Sequence, residues 1–78
     1  MLTRGQEQIR RELAHLLMDA FSRVHLEPKA ATLVTEFIDN YEFALAYEIM
    51  VEELGEDVPA EAAASLKEAG IRMGLISN

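Results

Sequence analysis

The sequence predicts an all-α protein, a compact bundle of about four helices built from a single domain, residues 1–78. Apolar residues recur with the 3.6-residue period of amphipathic helices along most of the chain. No segment alternates as a half-buried strand does, and no repeat or low-complexity linker divides the sequence. Because the chain has 78 residues and no cysteine, helix packing must supply its stability.

The first helix is predicted from an apolar stripe near the N-terminus. Thr3 is its candidate N-cap, because the hydroxyl can accept a hydrogen bond from the amide of Gln6 while the Gln6 side chain reaches back. Asp19 and Arg23 have the spacing of an ion pair on the solvent side. Pro28 interrupts the stripe and favours the first turn of a second helix. The inward residues are Ile9, Leu13, Leu16, Leu17, Ala20, Phe21 and Val24.

The second and third helices follow in close succession. Asp39 and Glu42 have the spacing of a capping box, which predicts the start of the third helix. That helix is expected to run over about residues 41–54 and to end at Gly55, which suits a left-handed conformation. The inward residues are Ala30, Leu33, Val34, Phe37 and Ile38 in the second helix, and Phe43, Ala46, Tyr47, Met50 and Leu54 in the third.

The fourth helix is predicted to begin after Pro59, since proline suits a helix start. Gly70 either ends this helix or permits close packing within it. The residues that share its inward face are Ala62, Leu66, Ala69 and Met73.

The outer side of the third helix carries apolar as well as acidic residues. Leu45 and Ile49 stand one turn apart among glutamates, so the surface is an apolar spot with a negatively charged rim. Such a surface is typical of a protein-binding patch. The alternative is that both residues pack beneath another helix, as in a central helix buried nearly all round. The surrounding glutamates are Glu42, Glu48, Glu52 and Glu53.

The charge of the chain is segregated. Residues 30–66 contain nine carboxylates and no lysine or arginine, whereas both flanking segments are slightly basic and the whole chain carries −7. A surface of one sign repels nucleic acid and steers a basic partner toward it, although acidic residues can also serve solubility alone. Tyr41, at a helix junction, is a candidate partner contact, and Tyr47 is expected in the core with its hydroxyl reaching solvent.

Catalysis and cofactor binding find little support in the residue types present. There is no thiol, and the two histidines, His15 and His25, fit surface or helix-capping roles. The acidic residues form neither an EF-hand loop nor a Glu-x-x-His pair, so we expect no metal and no cofactor. No apolar run approaches the length of a membrane span or signal peptide, and we therefore expect a cytoplasmic protein without a membrane partner.

Residues 39–56 resemble the central motif of the MafI-type immunity proteins of bacterial toxin systems. In that family a glutamate, a short apolar stretch with an alanine, a second glutamate, a leucine and an acid lie on one helix. The ending, residues 73–75, is also similar, and the likeness covers about the second half of the chain. The resemblance implies a small helical protein that binds a cognate toxin domain, often a nuclease, and occludes it. The matching positions are Glu42, Ala46, Glu48, Leu54 and Glu56.

The sequence thus predicts an immunity protein, not an enzyme, that neutralises a toxin with a basic surface. A homodimer or subunit that assembles through Leu45 and Ile49 is the alternative. Residues 47–60 also resemble the second helix and following loop of acyl carrier proteins, but Asn40 stands where the phosphopantetheine serine belongs. The predicted partner-binding residues are Tyr41, Glu42, Leu45, Glu48, Ile49, Glu52, Glu53, Glu56 and Asp57.

Overall fold

The structure is a computed structural model that describes residues 4–76. Over that range it is a compact all-α bundle without strands, which confirms the predicted fold class. None of the helices it contains is both long and apolar enough to span a membrane. The predicted N-cap, Thr3, lies outside the described residues. The helices are α1 (Arg4–Ser22), α2 (Pro28–Asp39), α3 (Phe43–Leu54) and α4 (Ala60–Arg72).

The four helices form two antiparallel pairs. α1 packs chiefly against α4, and Arg23 at the end of α1 reaches Glu61 at the start of α4, while Glu12 reaches Arg72 at its end. α2 packs chiefly against α3, and residues 40–42 alone connect them. α3 also contacts α1 and α4, so it touches all three other helices.

One apolar core joins the two pairs. Leu17 of α1, Val34 of α2 and Met50 of α3 are its largest fully buried side chains, and α4 contributes Leu66. Most of the predicted inward stripes are confirmed, because the residues they name are buried or packed against this core. The remaining buried hydrophobic residues are Leu13, Ala20, Leu26, Ala30, Ile38, Phe43, Ala46, Ala62 and Ala69.

Two residues predicted to lie in the core are exposed. Ile9 is 53% exposed, as are all the described residues of α1 that precede it, so no neighbouring helix covers this end of α1. Leu33 is 43% exposed, because α2 packs against essentially one neighbour and buries only a narrow stripe at Ala30, Val34 and Ile38. Both predictions were wrong for the same reason: periodicity finds the apolar side of a helix but not how much of it a neighbour covers.

The connection between α2 and α3 differs from the predicted capping box. Asp39 is the last residue of α2, and the N-cap of α3 is Glu42, whose side chain makes no capping hydrogen bond. The chain instead closes α2 with a Schellman motif, in which the Glu42 amide donates to the Phe37 carbonyl and the Tyr41 amide to the Ile38 carbonyl. The Asp39 and Glu42 carboxylates are therefore not used to start α3.

Two glycines occupy positions where a side chain would be unfavourable. At Gly55 the reason is the backbone conformation, and at Gly70 it is the close approach of neighbouring side chains. Gly55, directly after α3, has the predicted positive φ, +55°, but its ψ of −124° differs from the left-handed helical conformation. Gly70 lies inside α4, and a Cβ placed there would be 3.0 Å from the Tyr47 hydroxyl and 2.5 Å from Cδ1 of Ile76. Of the two roles that the sequence allowed for Gly70, close packing within the helix is the observed one.

Candidate functional site

The outer face of α3 is the surface that the sequence singled out, and its orientation follows from helix geometry. Phe43, Ala46 and Met50 are buried and fix the inward side of the helix. Residues about half a turn away must face outward, and Glu48 and Glu52 are exposed as this requires. A twelve-residue helix is about 18 Å long, so the face extends over a distance comparable to a small protein contact.

The predicted partner-binding residues fall into three places along this helix. Tyr41 and Glu42 lie before its first turn, and Glu56 and Asp57 follow its last turn, so these two groups are about a helix length apart. The remaining five residues lie on α3 itself, and all of them except Ile49 are exposed. The five are Leu45, Glu48, Ile49, Glu52 and Glu53.

Leu45 and Ile49 have different surroundings, although they are one helical turn apart. Leu45 is 43% exposed and lies outside the core cluster. Ile49 is half-buried and packs against the core, while part of it lines a groove between α2 and α3. Leu33 lines the same groove from α2. The apolar part of the outer surface therefore crosses from α3 onto α2.

Leu33 is the residue of this surface that sequence reasoning placed in the core. The one hint in the sequence is Lys29, a charged residue one turn before Leu33 on the same side of α2, but it does not show how much of Leu33 a neighbouring helix covers. Within α2 the fully buried stripe runs through Val34, and Leu33 is one step round the helix from it.

The carboxylates of α3 lack cationic partners in the described part of the chain. Every ion pair within residues 4–76 involves Arg23 or Arg72, and Glu61 is the one carboxylate of residues 30–66 that takes part. Glu48 and Glu52 are like charges at i,i+4 spacing, which is mildly destabilising in a helix. The outer face of α3 thus carries negative charge that the described fold does not neutralise.

Two arginines, Arg23 and Arg72, form the ion pairs that join α1 to α4. Arg23 donates to Asp19 at 3.2 Å and to Glu61 at 2.6 Å, and the Ser65 hydroxyl donates to Asp19 at 2.7 Å. The predicted Asp19–Arg23 ion pair is therefore confirmed. The Ser65 hydrogen bond, followed by that of Arg23, lowers the pKa of Asp19 below its ordinary value. At the other end of the pair, Arg72 bridges Glu12 and Glu68.

Tyr41 occupies a backbone position that usually holds glycine. It is the residue after the C-cap of α2 in the Schellman motif, and its φ is +61°. The ring packs edge-on against Phe43 with 6.0 Å between centroids, and the guanidinium of Arg10 lies over it. Tyr41 is 59% exposed, yet its ring is in contact with Arg10 of α1.

Other chemistry-bearing residues do not converge on this face. His15 and His25 are both exposed, and His15 lines a shallow groove with Arg11 and Arg72 on the α1–α4 pair. Within residues 4–76 no three histidine, aspartate or glutamate side chains are arranged to hold a metal ion.

No protein family, curated protein or solved structure was found to match this chain. The resemblance to the MafI-type immunity proteins therefore stays a prediction.

Proposed function

We propose that this chain is an immunity protein that binds and neutralises a cognate bacterial toxin, a basic nuclease domain, in the cytoplasm of the cell that makes both. One observation carries the proposal: the outer face of α3 combines exposed, unpaired glutamates with the exposed Leu45. A nuclease that binds the phosphate backbone presents lysines and arginines at its substrate surface. Glu48, Glu52 and Glu53, which lie within about 8 Å along α3, can occupy that surface in place of the nucleic acid.

The roles divide along the helix. Glu48 and Glu52 meet the toxin's cations, and Leu45, about one turn before Glu48, supplies an apolar contact. Inhibition follows from occlusion, so the chain needs neither catalysis nor a cofactor. Glu42, Glu53, Glu56 and Asp57 extend the negative field beyond the contact and raise the association rate.

A second copy of this chain is the alternative partner, because the exposed Leu45 could also be covered in a homodimer. The charge on α3 favours the toxin. Two copies that met through this face would bring like charges together, at a cost that a basic partner avoids.

The proposal is tested by capture from the lysate and secreted fraction of the source bacterium at low and high salt. The bait is the wild-type chain beside a Glu48→Lys, Glu52→Lys variant, with Arg11→Glu, Lys67→Glu as a control that changes charge on the α1–α4 pair. We expect the wild type and the control to retain one basic protein at low salt, and the α3 variant to lose it. Expressed alone, the captured protein should arrest growth, and co-expression of the wild-type chain should relieve the arrest.

Equal capture by all three baits would place the interface elsewhere. A captured protein that is harmless to the cell would contradict the immunity function. Size-exclusion chromatography with light scattering tests the alternative, since a homodimer through Leu45 should dissociate in a Leu45→Ser variant and a monomeric wild type excludes it.

A further inference from the structure

The groove between α2 and α3 combines an apolar lining with charged side chains from the segments around it. It has a volume of about 250 Å³, and its apolar lining includes Leu33 and Ile49. Three carboxylates line its edges, with one lysine, Lys29. They are Glu27, Glu52 and Glu53.

The carboxylates of the groove are not paired within the described chain. Lys29 takes part in none of the ion pairs formed by residues 4–76, so it does not neutralise its neighbours at contact distance. With three glutamates and one lysine, the groove carries a formal charge of −2. A cation that entered it would be attracted at once by Glu27, directly before α2, and by Glu52 and Glu53 of α3.

We propose that this groove receives an arginine side chain of the toxin, and this inference rests on the proposed function. The aliphatic stem of arginine covers Leu33 and Ile49, and its guanidinium pairs with Glu52 or Glu53. Arginine fits the groove better than lysine, because its guanidinium is more weakly hydrated and its planar fork can bridge two acceptors. The groove thus adds an anchor on α2 to the contacts made by α3.

A capped triarginine peptide serves as the probe, with capped trilysine for comparison, and binding is followed by ¹H–¹⁵N NMR titration. The largest changes in amide chemical shift on addition of triarginine are expected in residues 29–33 and 49–53. Glu53→Gln should weaken triarginine binding by about threefold, the size of one exposed ion pair. Glu48→Gln removes the same charge outside the groove and should have a clearly smaller effect.

The apolar lining is tested with a second matched pair. Leu33→Ser should weaken binding while Leu45→Ser leaves it nearly unchanged, since both leucines are equally exposed but Leu33 alone lines the groove. Circular dichroism checks that each variant is folded. Equal weakening by Glu53→Gln and Glu48→Gln would overturn the proposal, because binding would then follow net charge. So would equal affinity for trilysine, or no binding of triarginine.

The same variants separate this inference from the proposed function. If the toxin is still captured at full strength by Leu33→Ser and Glu53→Gln but is lost with Glu48→Lys, Glu52→Lys, the groove proposal fails and the immunity function stands. Weaker capture by the groove variants, matched by a loss of triarginine binding, supports both.

Discussion

The guanidinium carbon of Arg10 lies 4.5 Å from the centroid of the Tyr41 ring, which joins α1 to the connection between α2 and α3. Tyr41 makes this contact from a left-handed backbone conformation, which costs a non-glycine residue about 1 kcal/mol. A cation over an exposed aromatic ring returns an amount of the same order. Tyr41 therefore links the two helix pairs with little net change in the free energy of unfolding.

Substitution of Tyr41 should separate these two contributions. Tyr41→Ala loses the ring contacts and keeps the unfavourable φ, so we expect destabilisation by about 1 kcal/mol. Tyr41→Gly loses the same contacts but relieves the backbone, and should be more stable than the alanine variant by about 1 kcal/mol. Urea unfolding measures both. Equal stability of the two variants would show that the backbone at Tyr41 is not strained.

Gly70 and Ile76 should be energetically coupled. A methyl group at Gly70 would meet the Ile76 side chain, so Gly70→Ala gains helix propensity but must displace that residue. In an Ile76→Ala background the obstacle is smaller and Gly70→Ala should be more favourable by about 1 kcal/mol. A double-mutant cycle of unfolding free energies gives the coupling, and strict additivity would contradict the packing seen here.

The lowered pKa of Asp19 predicts a pH-dependent contribution to stability. Its folded pKa lies below the unfolded value, so the contribution is complete above the unfolded pKa of about 3.9 and is lost as pH falls through the folded pKa. The difference in urea midpoint between wild type and Asp19→Asn should therefore be constant near pH 6 and narrow below about pH 4. Ser65→Ala removes the hydrogen bond that lowers the pKa of Asp19 most, so in that background the two urea midpoints should converge at higher pH. A difference that persists unchanged to pH 2 would contradict the assignment.

Neutralising Glu48 on α3 should stabilise the chain. Glu48→Gln removes one repulsive i,i+4 pair with Glu52 and should raise the free energy of unfolding by about 0.2–0.5 kcal/mol. Thermal unfolding at low salt shows the gain, which should shrink as salt screens the repulsion. Loss of stability in Glu48→Gln would mean that this carboxylate has a favourable role within the fold.

Leu33 and Val34 are neighbours in sequence, but truncation of Val34 should destabilise the fold more than truncation of Leu33. Val34 is fully buried, so Val34→Ala should cost about 1–3 kcal/mol through lost burial and a cavity. Leu33→Ala removes more atoms from a partly exposed site and should cost less than about 1 kcal/mol. Chemical unfolding of the two variants tests the order, and a larger loss at Leu33 would place it back in the core.

The sequence could predict the helices and their buried sides, but not the contacts between segments that are distant in the chain. Helix positions follow from local periodicity, and the exposure of Glu48 and Glu52 follows from the buried stripe through Phe43 and Met50. The contact between Arg10 and Tyr41 could not be predicted, since it depends on how distant segments meet. The exposure of Leu33 has the same origin, because only the packed structure shows that α2 has essentially one neighbour.

The candidate site was predictable to a similar degree. Its glutamates and Leu45 were found because they share one helix, whereas the groove requires two helices to be placed side by side. Glu42 was assigned a structural role with Asp39 that the Schellman motif makes unnecessary. Sequence reasoning thus found the helix that carries the surface and missed its extension onto α2.

All ion pairs within residues 4–76 lie on Arg23 and Arg72, and both arginines join the α1–α4 pair. Substitutions on the outer face of α3 therefore leave these links intact. Under the proposed function, a lineage of such proteins could follow changes in its toxin by exchanging surface residues of α3, with each intermediate still folded. Recognition could then diversify quickly on a scaffold that itself changes slowly.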